Sequence, residues 1–354
     1  MRWSPLPVAH VLRSRLSRAA PLRWLRARAL SEVAQRSWEL APGSEQVIPP
    51  AYFLPGQLER VTDWVFADEH PGRKMSGNSS VTHGPTRAHL LEDVWLIDGV
   101  LYKGPACSHL SPRESRLPRL HVRTEIEQGA IYCSAAGNRW FGMWLMDDCP
   151  LYPLACESGR PITTQGPPKG HARDYEAWLD MKPTRVRNAL LRRLVVFEDV
   201  GHNRDKHRRF RALNDKLRAR VDVEPHAGVF LLRGRAGDPR VLQDERALAD
   251  RLAKHRGLTV IDPLRVDVPT LVRTCAGARV VVGVEGSQLA HALMALPRGA
   301  SLVTLQPPGR FCGLLKDLTD RDGQHFGFVV GRPAGEDFVV DPSEVERTLD
   351  LMPT

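Results

Sequence analysis

The spacing of apolar residues divides the chain into a regular C-terminal part and a less regular remainder. From residue 228 onward, short continuous apolar runs alternate with stretches of about ten residues at helical period. Runs at 229–233, 258–262, 278–284 and 301–305 predict buried strands, bounded by Gly and Pro rather than alternating with polar residues. Between them, 244–255 and 268–275 predict helices, the first closed by Gly257 and the second started by Pro269. A Gly/Pro loop over 234–240 joins the first strand to the first helix. After Glu285-Gly286-Ser287 another helix is predicted, with Leu289, Ala292, Leu293 and Leu296 on one face and Pro297 ending it. A last helix is predicted over 342–351. Strands alternating with helices predict a parallel, Rossmann-like α/β layer.

Upstream the pattern is looser. The stretch VWLI-DG-VLYK within 92–104 predicts a hairpin, with Asp98-Gly99 supplying a type I′ turn. Residues 43–84 are punctuated by Pro and Gly and predict short strands mixed with loops; 111–119 predicts a loop. A short apolar run at 130–133 leads into GNRWFGMWLMDDCPLYPLA, helical from about Trp140 to near Pro150 and carrying Asp147 and Asp148. Residues 193–198 predict a further buried strand, and 202–221 a very basic helix that includes Arg204, Lys206, Arg208 and Arg209.

Length changes the picture from one core to two. At 354 residues the prior is two domains, divided here as a basic segment 1–45, a domain 46–222, a domain 223–335 and a tail 336–354. Hydrophobic content of 42% and charged content of 26% are those of a soluble globular protein. There is no run of about 18 apolar residues, so no transmembrane helix is predicted. The six cysteines show no CxxC spacing and no His at ligand distance, so no metal is expected and a reduced, cytoplasmic setting is the simplest account. The net charge of +9 is diffuse, except at the start: seven Arg and no acid precede Glu32. Interleaved with Leu12, Leu16, Leu22, Trp24 and Leu25, they fit three readings. One is an amphipathic segment on an anionic membrane surface, another a transit-like sequence, and the third a loose Arg-rich tail that Pro21 keeps from being one helix.

Candidate chemistry gathers at the ends of the C-terminal strands, where open α/β sheets bind ligands. Arg233 ends one strand, and Arg240 follows in the same loop. Gly286 leaves room for a close ligand, Ser287 is placed to cap the next helix, and Glu285, Gln288 and His291 lie on the same turn. N–H groups at such a helix end suit a phosphate. The bland alternatives are a surface ion pair for Arg233, a core histidine at 291 and a helix-capping acid at 147. Other motifs fail. Asp320-Arg321-Asp322 runs into Gly323 and predicts a polar turn, and the sequence around Ser287 lacks the second Gly of a G-x-S-x-G elbow. The basic helix 202–221 carries only Phe210 among aromatics, so nucleic acid is not an expected partner. A solvated face or an anionic-acceptor rim fits it better.

The order strand, Arg, loop, Arg, helix, strand, helix, strand, Gly turn, helix, strand runs through VFLLRGRAGDPR, LTVIDP and VVVGVEGSQLAHALMALPRGASLVTLQPP. It resembles the C-terminal half of glycosyltransferase family 61. The aromatic run before Trp144 and Asp147 is similar to an upstream helix of that family, and the resemblance covers about residues 90–335. It implies a GT-B architecture, two Rossmann-like domains facing across a cleft. It also implies inverting transfer of a sugar from a nucleotide donor, typically a UDP-sugar, without a metal. Asp147, with Asp148 beside it, then matches the acceptor-activating base, and Arg233, Arg240 and the 285–288 turn the donor site. A glycan or glycolipid is the implied acceptor, with a peripheral membrane contact as a further expectation. The chain departs from the family pattern at Met143, where His commonly precedes Trp; at Glu285, where His often stands; and at Thr304, where an acid often ends the strand. Met143 motivates a second reading, a catalytically silent sugar-nucleotide or glycan binder.

Overall fold

The computed structural model describes residues 2–19, 27–65, 71–112, 119–235 and 240–353. The chain forms two compact units, Met1–Ser44 with Gly84–Arg209, and Glu45–His83 with Phe210–Thr354. Each unit is built on one large sheet, so the protein has a mixed α/β fold with two such sheets, of eight and five strands. Residues 45–83 therefore pack with the second unit although the chain reaches them before most of the first.

In the first unit the strands lie in the order Thr184–Arg185, Arg160–Thr163, Thr124–Ile131, Ala189–Glu198, Thr86–Ile97, Val100–Lys103 and Ala106–His109. The first four are mutually parallel, and Thr86–Ile97 pairs antiparallel with Ala189–Glu198. The hairpin forms as its sequence predicts. Ile97 pairs with Val100, and Asp98 and Gly99 both take the positive φ (51° and 75°) of a type I′ turn. Leu91, Val94, Ile126, Ile162, Leu191 and Leu194 form the core.

Residues 2–19 of the Arg-rich start are built into this unit. Arg2–Trp3 pairs with His121–Val122, and Ser4 Oγ accepts from the Leu6 N–H at the start of the helix Leu6–Ala19. His10 Nε2–H donates to the Gly104 carbonyl at 3.1 Å, and Leu6 packs on the cluster of Ile97, Val100 and Tyr102. Arg36–Ala41 adds a strand to Thr86–Ile97. Pro21 and its neighbours, and most of the expected loop 111–119, lie outside the described residues.

The second unit carries five parallel strands, Gly228–Leu231, Leu258–Ile261, Val280–Val284, Ser301–Gln306 and His325–Val330. In space they lie second, first, third, fourth, fifth. Phe230, Val282, Val303, Leu305 and Val329 meet Leu248 and Leu252 of the helix Glu245–Arg256 in its core. Gly257 closes that helix at φ 67°, the left-handed cap that the sequence predicts. Residues 45–83 are stitched in by the Tyr52–Gly327 bridge, by Trp64–Val65 pairing with Phe311–Cys312, and by a forked Arg60–Glu344 contact with both bonds at 2.6 Å.

Two local expectations change. Asp320–Asp322 is no polar turn but the buried end of the helix Leu314–Asp322, which Gly323 closes at φ 70°. There Asp320 accepts from Lys316 at 2.6 Å and Asp322 from Arg211 at 3.0 Å. The helix around Asp147 does not stop at Pro150. Helical backbone runs from Phe141 to Ser158 and passes through Pro150, whose missing N–H falls directly after the widened turn Trp144–Asp148. No helix among the described residues is long and apolar enough to cross a membrane.

Candidate functional site

The strand order of the second unit reverses between Gly228–Leu231 and Val280–Val284. A crevice at such a reversal, beyond the carboxyl ends of the strands, is where open α/β sheets take ligands. Arg233 leaves the first of these strands, and Glu285 and Gly286 leave the second. Arg240 Nε lies 2.9 Å from both the Glu285 backbone oxygen and its Oε2, and Arg310 Nη1 reaches the same Oε2 at 3.0 Å. Arg233 Nη1 donates to Gln288 Oε1 at 3.3 Å, while the Gln288 amide donates back to the Val284 carbonyl. A Cβ at Gly286 would stand 2.2 Å from Arg233 Nη1, so only glycine lets the guanidinium lie there. Arg240 and Arg310 thus share the Glu285 carboxylate with the Arg233 guanidinium nearby, three cations against the two carboxylates of Glu285 and Glu245 in largely buried surroundings.

The loop that carries Arg233 is pinned from below. The backbone N–H groups of Arg233 and Gly234 both donate to the Glu245 carboxylate at 2.8 Å. Burial, with Arg240 and Arg310 nearby, brings the Arg233 guanidinium down to about 10, partly opposed by Glu285. An anion placed among these groups relieves that repulsion. Ser287 does not cap a helix as expected. Gly286 occupies the cap position without a side-chain bond, and Ser287–Leu289 is a tight turn leading into the four-residue helix Ala290–Leu293. So short a helix has little dipole, and the arginines rather than the helix end supply the attraction for an anion. His291 is buried in that turn.

In the first unit the two candidate acids point to different partners. They sit on a π-helical turn, Trp144–Asp148, in which the Cys149 N–H bonds the Trp144 carbonyl. Such widened turns are frequent at functional sites. Asp147 Oδ1 lies 2.8 Å from Lys206 Nζ, and the same ammonium donates to the Asp199 carbonyl at 2.8 Å. Arg209 completes the network with bonds to Asp199, Asp205 and the Pro150 carbonyl. Lys206 and Arg209, in the first turns of the basic helix Arg204–Arg218, are buried and ion-paired, Phe210, Leu213 and Leu217 are buried beyond them, and Arg204 and Arg208 stay exposed. Asp148 turns the other way. Its Oδ2 accepts from the Ser134 N–H at 3.1 Å, and Ser134 Oγ in turn accepts from the Gly137 N–H at 2.9 Å. Burial pushes the Asp148 carboxyl up to about 7, against the lowering effect of the Ser134 bonds. Asp147 keeps part of its side chain in solvent, whereas Asp148 is buried.

Several residues of these clusters escape a sequence reading, Asp199, Glu245 and Ser134 along with Arg310 and Lys206. Arg310 follows the strand Ser301–Gln306 in a tight turn behind two prolines. Counting cations just beyond every parallel strand, rather than beyond the first alone, would have found it. Lys206 was one of a run of basic residues, and nothing local marks it as the one that turns inward.

Residues 86–303 match the family model Glycosyltransferase 61, which spans more than half of the chain and both clusters except Arg310. The protein belongs to glycosyltransferase family 61. Comparison with curated proteins gives no match.

Proposed function

We propose that this protein transfers a sugar from a nucleoside diphosphate donor, a UDP-sugar, to a hydroxyl of a glycan or glycolipid, with inversion at the anomeric carbon. The arginine cluster carries the reading: Arg233, Arg240 and Arg310 around Glu285, beyond the strand ends at the reversal of strand order. A diphosphate is the ligand that such a charge surplus and such forked donors fit, and each charge-assisted bond contributes about 1.5–3 kcal/mol. In the transfer, the acceptor oxygen attacks the anomeric carbon as its proton passes to the Asp147 carboxylate. The bond from that carbon to the diphosphate breaks, and its electron pair leaves with the nucleotide, whose growing charge the arginines neutralise. Asp148, sealed beneath Ser134 and Gly137, supports the turn that holds Asp147. The two separate large sheets support a GT-B architecture as part of this reading.

Melting curves with and without UDP and UDP-sugars test the donor site, because a ligand of the native state raises the melting temperature. Stabilisation by UDP that Arg233→Ala largely removes is the expected result. No shift with any nucleotide ends the donor assignment, and an equal shift in the variant removes Arg233 from it. Met143, at the position where the family commonly has His, favours the silent-binder reading; donor binding with neither transfer nor hydrolysis would support it.

A further inference from the structure

The helix Leu6–Ala19 has two faces of opposite character. His10, Pro7 and Leu6 turn toward the sheet, where His10 bonds the Gly104 carbonyl and its ring lies 5.3 Å from that of Tyr102. Val8, Leu12 and Leu16, spaced four apart, fall on the opposite face, and Leu12 and Leu16 are 53% and 55% exposed. Trp3, just before the helix, is 65% exposed. Exposed large apolar residues elsewhere among the described residues are scattered singly, which needs no explanation; a stripe along one helix does. Arg13 and Arg15 flank the stripe, and the sequence has no acid before Glu32.

We infer that this helix is a docking surface for an anionic lipid bilayer. An apolar stripe with arginines beside it and an aromatic at its end is what the boundary between headgroups and acyl chains accepts. The fold already holds the helix by its other face, so no folding cost is added on binding. A second copy of the chain is the poorer occupant, because a two-fold contact through this stripe would bring Arg13 and Arg15 of both copies together. The inference is independent of the sugar-transfer reading.

Flotation of the full-length protein tests it, with vesicles of phosphatidylcholine alone and of phosphatidylcholine with phosphatidylglycerol. Wild type should float with the anionic vesicles and lose most of that binding in high salt. Replacing both leucines (Leu12→Ser, Leu16→Ser) should cut the bound fraction about ten-fold or more, since each contributes burial of apolar surface. A second double variant (Arg13→Gln, Arg15→Gln) leaves the stripe and should lose the preference for anionic vesicles. Both pairs are surface residues, and unchanged melting curves will confirm that the fold is intact. The inference is overturned if wild type stays with the unbound fraction, or if the leucine variant floats as well as wild type. It is also overturned if the stripe instead drives dimerisation, seen in sedimentation as a dimer that the leucine variant dissociates.

Discussion

The carboxylate of Asp148 lies so close over Gly137 that a Cβ at that position would stand 1.9 Å from Oδ2. Gly137 is helical, within Ala135–Arg139, so its role is room rather than unusual backbone. Two effects oppose each other in Gly137→Ala. Helix propensity favours alanine by up to about 1 kcal/mol, whereas overpacking a buried site costs about 1–3 kcal/mol. Asp148 is fixed by the Ser134 N–H and has nowhere to go, so the clash should win. Urea unfolding should show a net loss, and the double variant with Asp148→Ala should lose less than the sum of the two singles. A Gly137→Ala protein as stable as wild type would mean that the turn relaxes freely.

Asp148 also sets a pH dependence. Its carboxyl rises from an ordinary value near 3.8 to about 7 because burial disfavours the charge. Between those values the folded state holds a proton that the unfolded chain has released. The stability from this group is therefore complete below the unfolded value and is lost as pH rises through about 7, by on the order of 4 kcal/mol at most. Asp148→Asn keeps an acceptor for Ser134 and has no charge to bury. Compared by denaturant unfolding at about pH 5 and about pH 8, wild type should weaken more than the variant. Parallel pH profiles would show that Asp148 is ionised at little cost.

How much of this was legible in the sequence follows from where the information is local. The parallel strands of the second unit are continuous apolar runs closed by Gly or Pro, because both of their faces are buried, and their helices carry end signals such as Pro269 and Gly257. Arg233 could be read because a strand end is a position that sequence defines. What could not be read was non-local. Nothing in residues 45–83 tells which sheet Tyr52 and Trp64 will join, since those contacts are to residues about 250 or more positions away. Pro150 reads as the end of a helical run, since nothing in the sequence marks the widened turn Trp144–Asp148 that precedes it in a continuing helix. The inward turn of Lys206 depends on Asp147 and Asp199, one of them nearly sixty positions back.

Glu285 holds the arginine cluster together, since its carboxylate is shared by Arg240 and Arg310. Glu285→Gln removes the charge that Arg240 and Arg310 share, with the Arg233 guanidinium nearby. Breaking a buried ionic network by removing one partner costs about 3–5 kcal/mol, an upper bound here because glutamine keeps an acceptor oxygen. Inorganic phosphate should then stabilise the variant more than wild type, by taking the place of the lost carboxylate. Equal phosphate shifts in the two proteins would argue that the cluster is not organised around Glu285.

Asp147 is the acid whose replacement separates enzyme from binder. It is paired with the ammonium of Lys206, yet Lys206 also donates to the Asp199 carbonyl and lies 4.0 Å from the Asp199 carboxylate. Asp147→Asn therefore leaves the ammonium with partners, and the amide oxygen can still accept from it, so the fold should persist with a melting temperature near that of wild type. The arginine cluster is untouched, so stabilisation by UDP should be retained. The variant cannot take up the acceptor proton, and transfer should fall by roughly 10²–10⁴-fold, the scale of a lost general base. Measured with donor saturating, the proposed role as acceptor base predicts that the fall appears in kcat rather than in the donor KM. Wild-type turnover in Asp147→Asn would remove this residue from the chemistry. Loss of UDP stabilisation together with turnover would place its role in holding the fold instead.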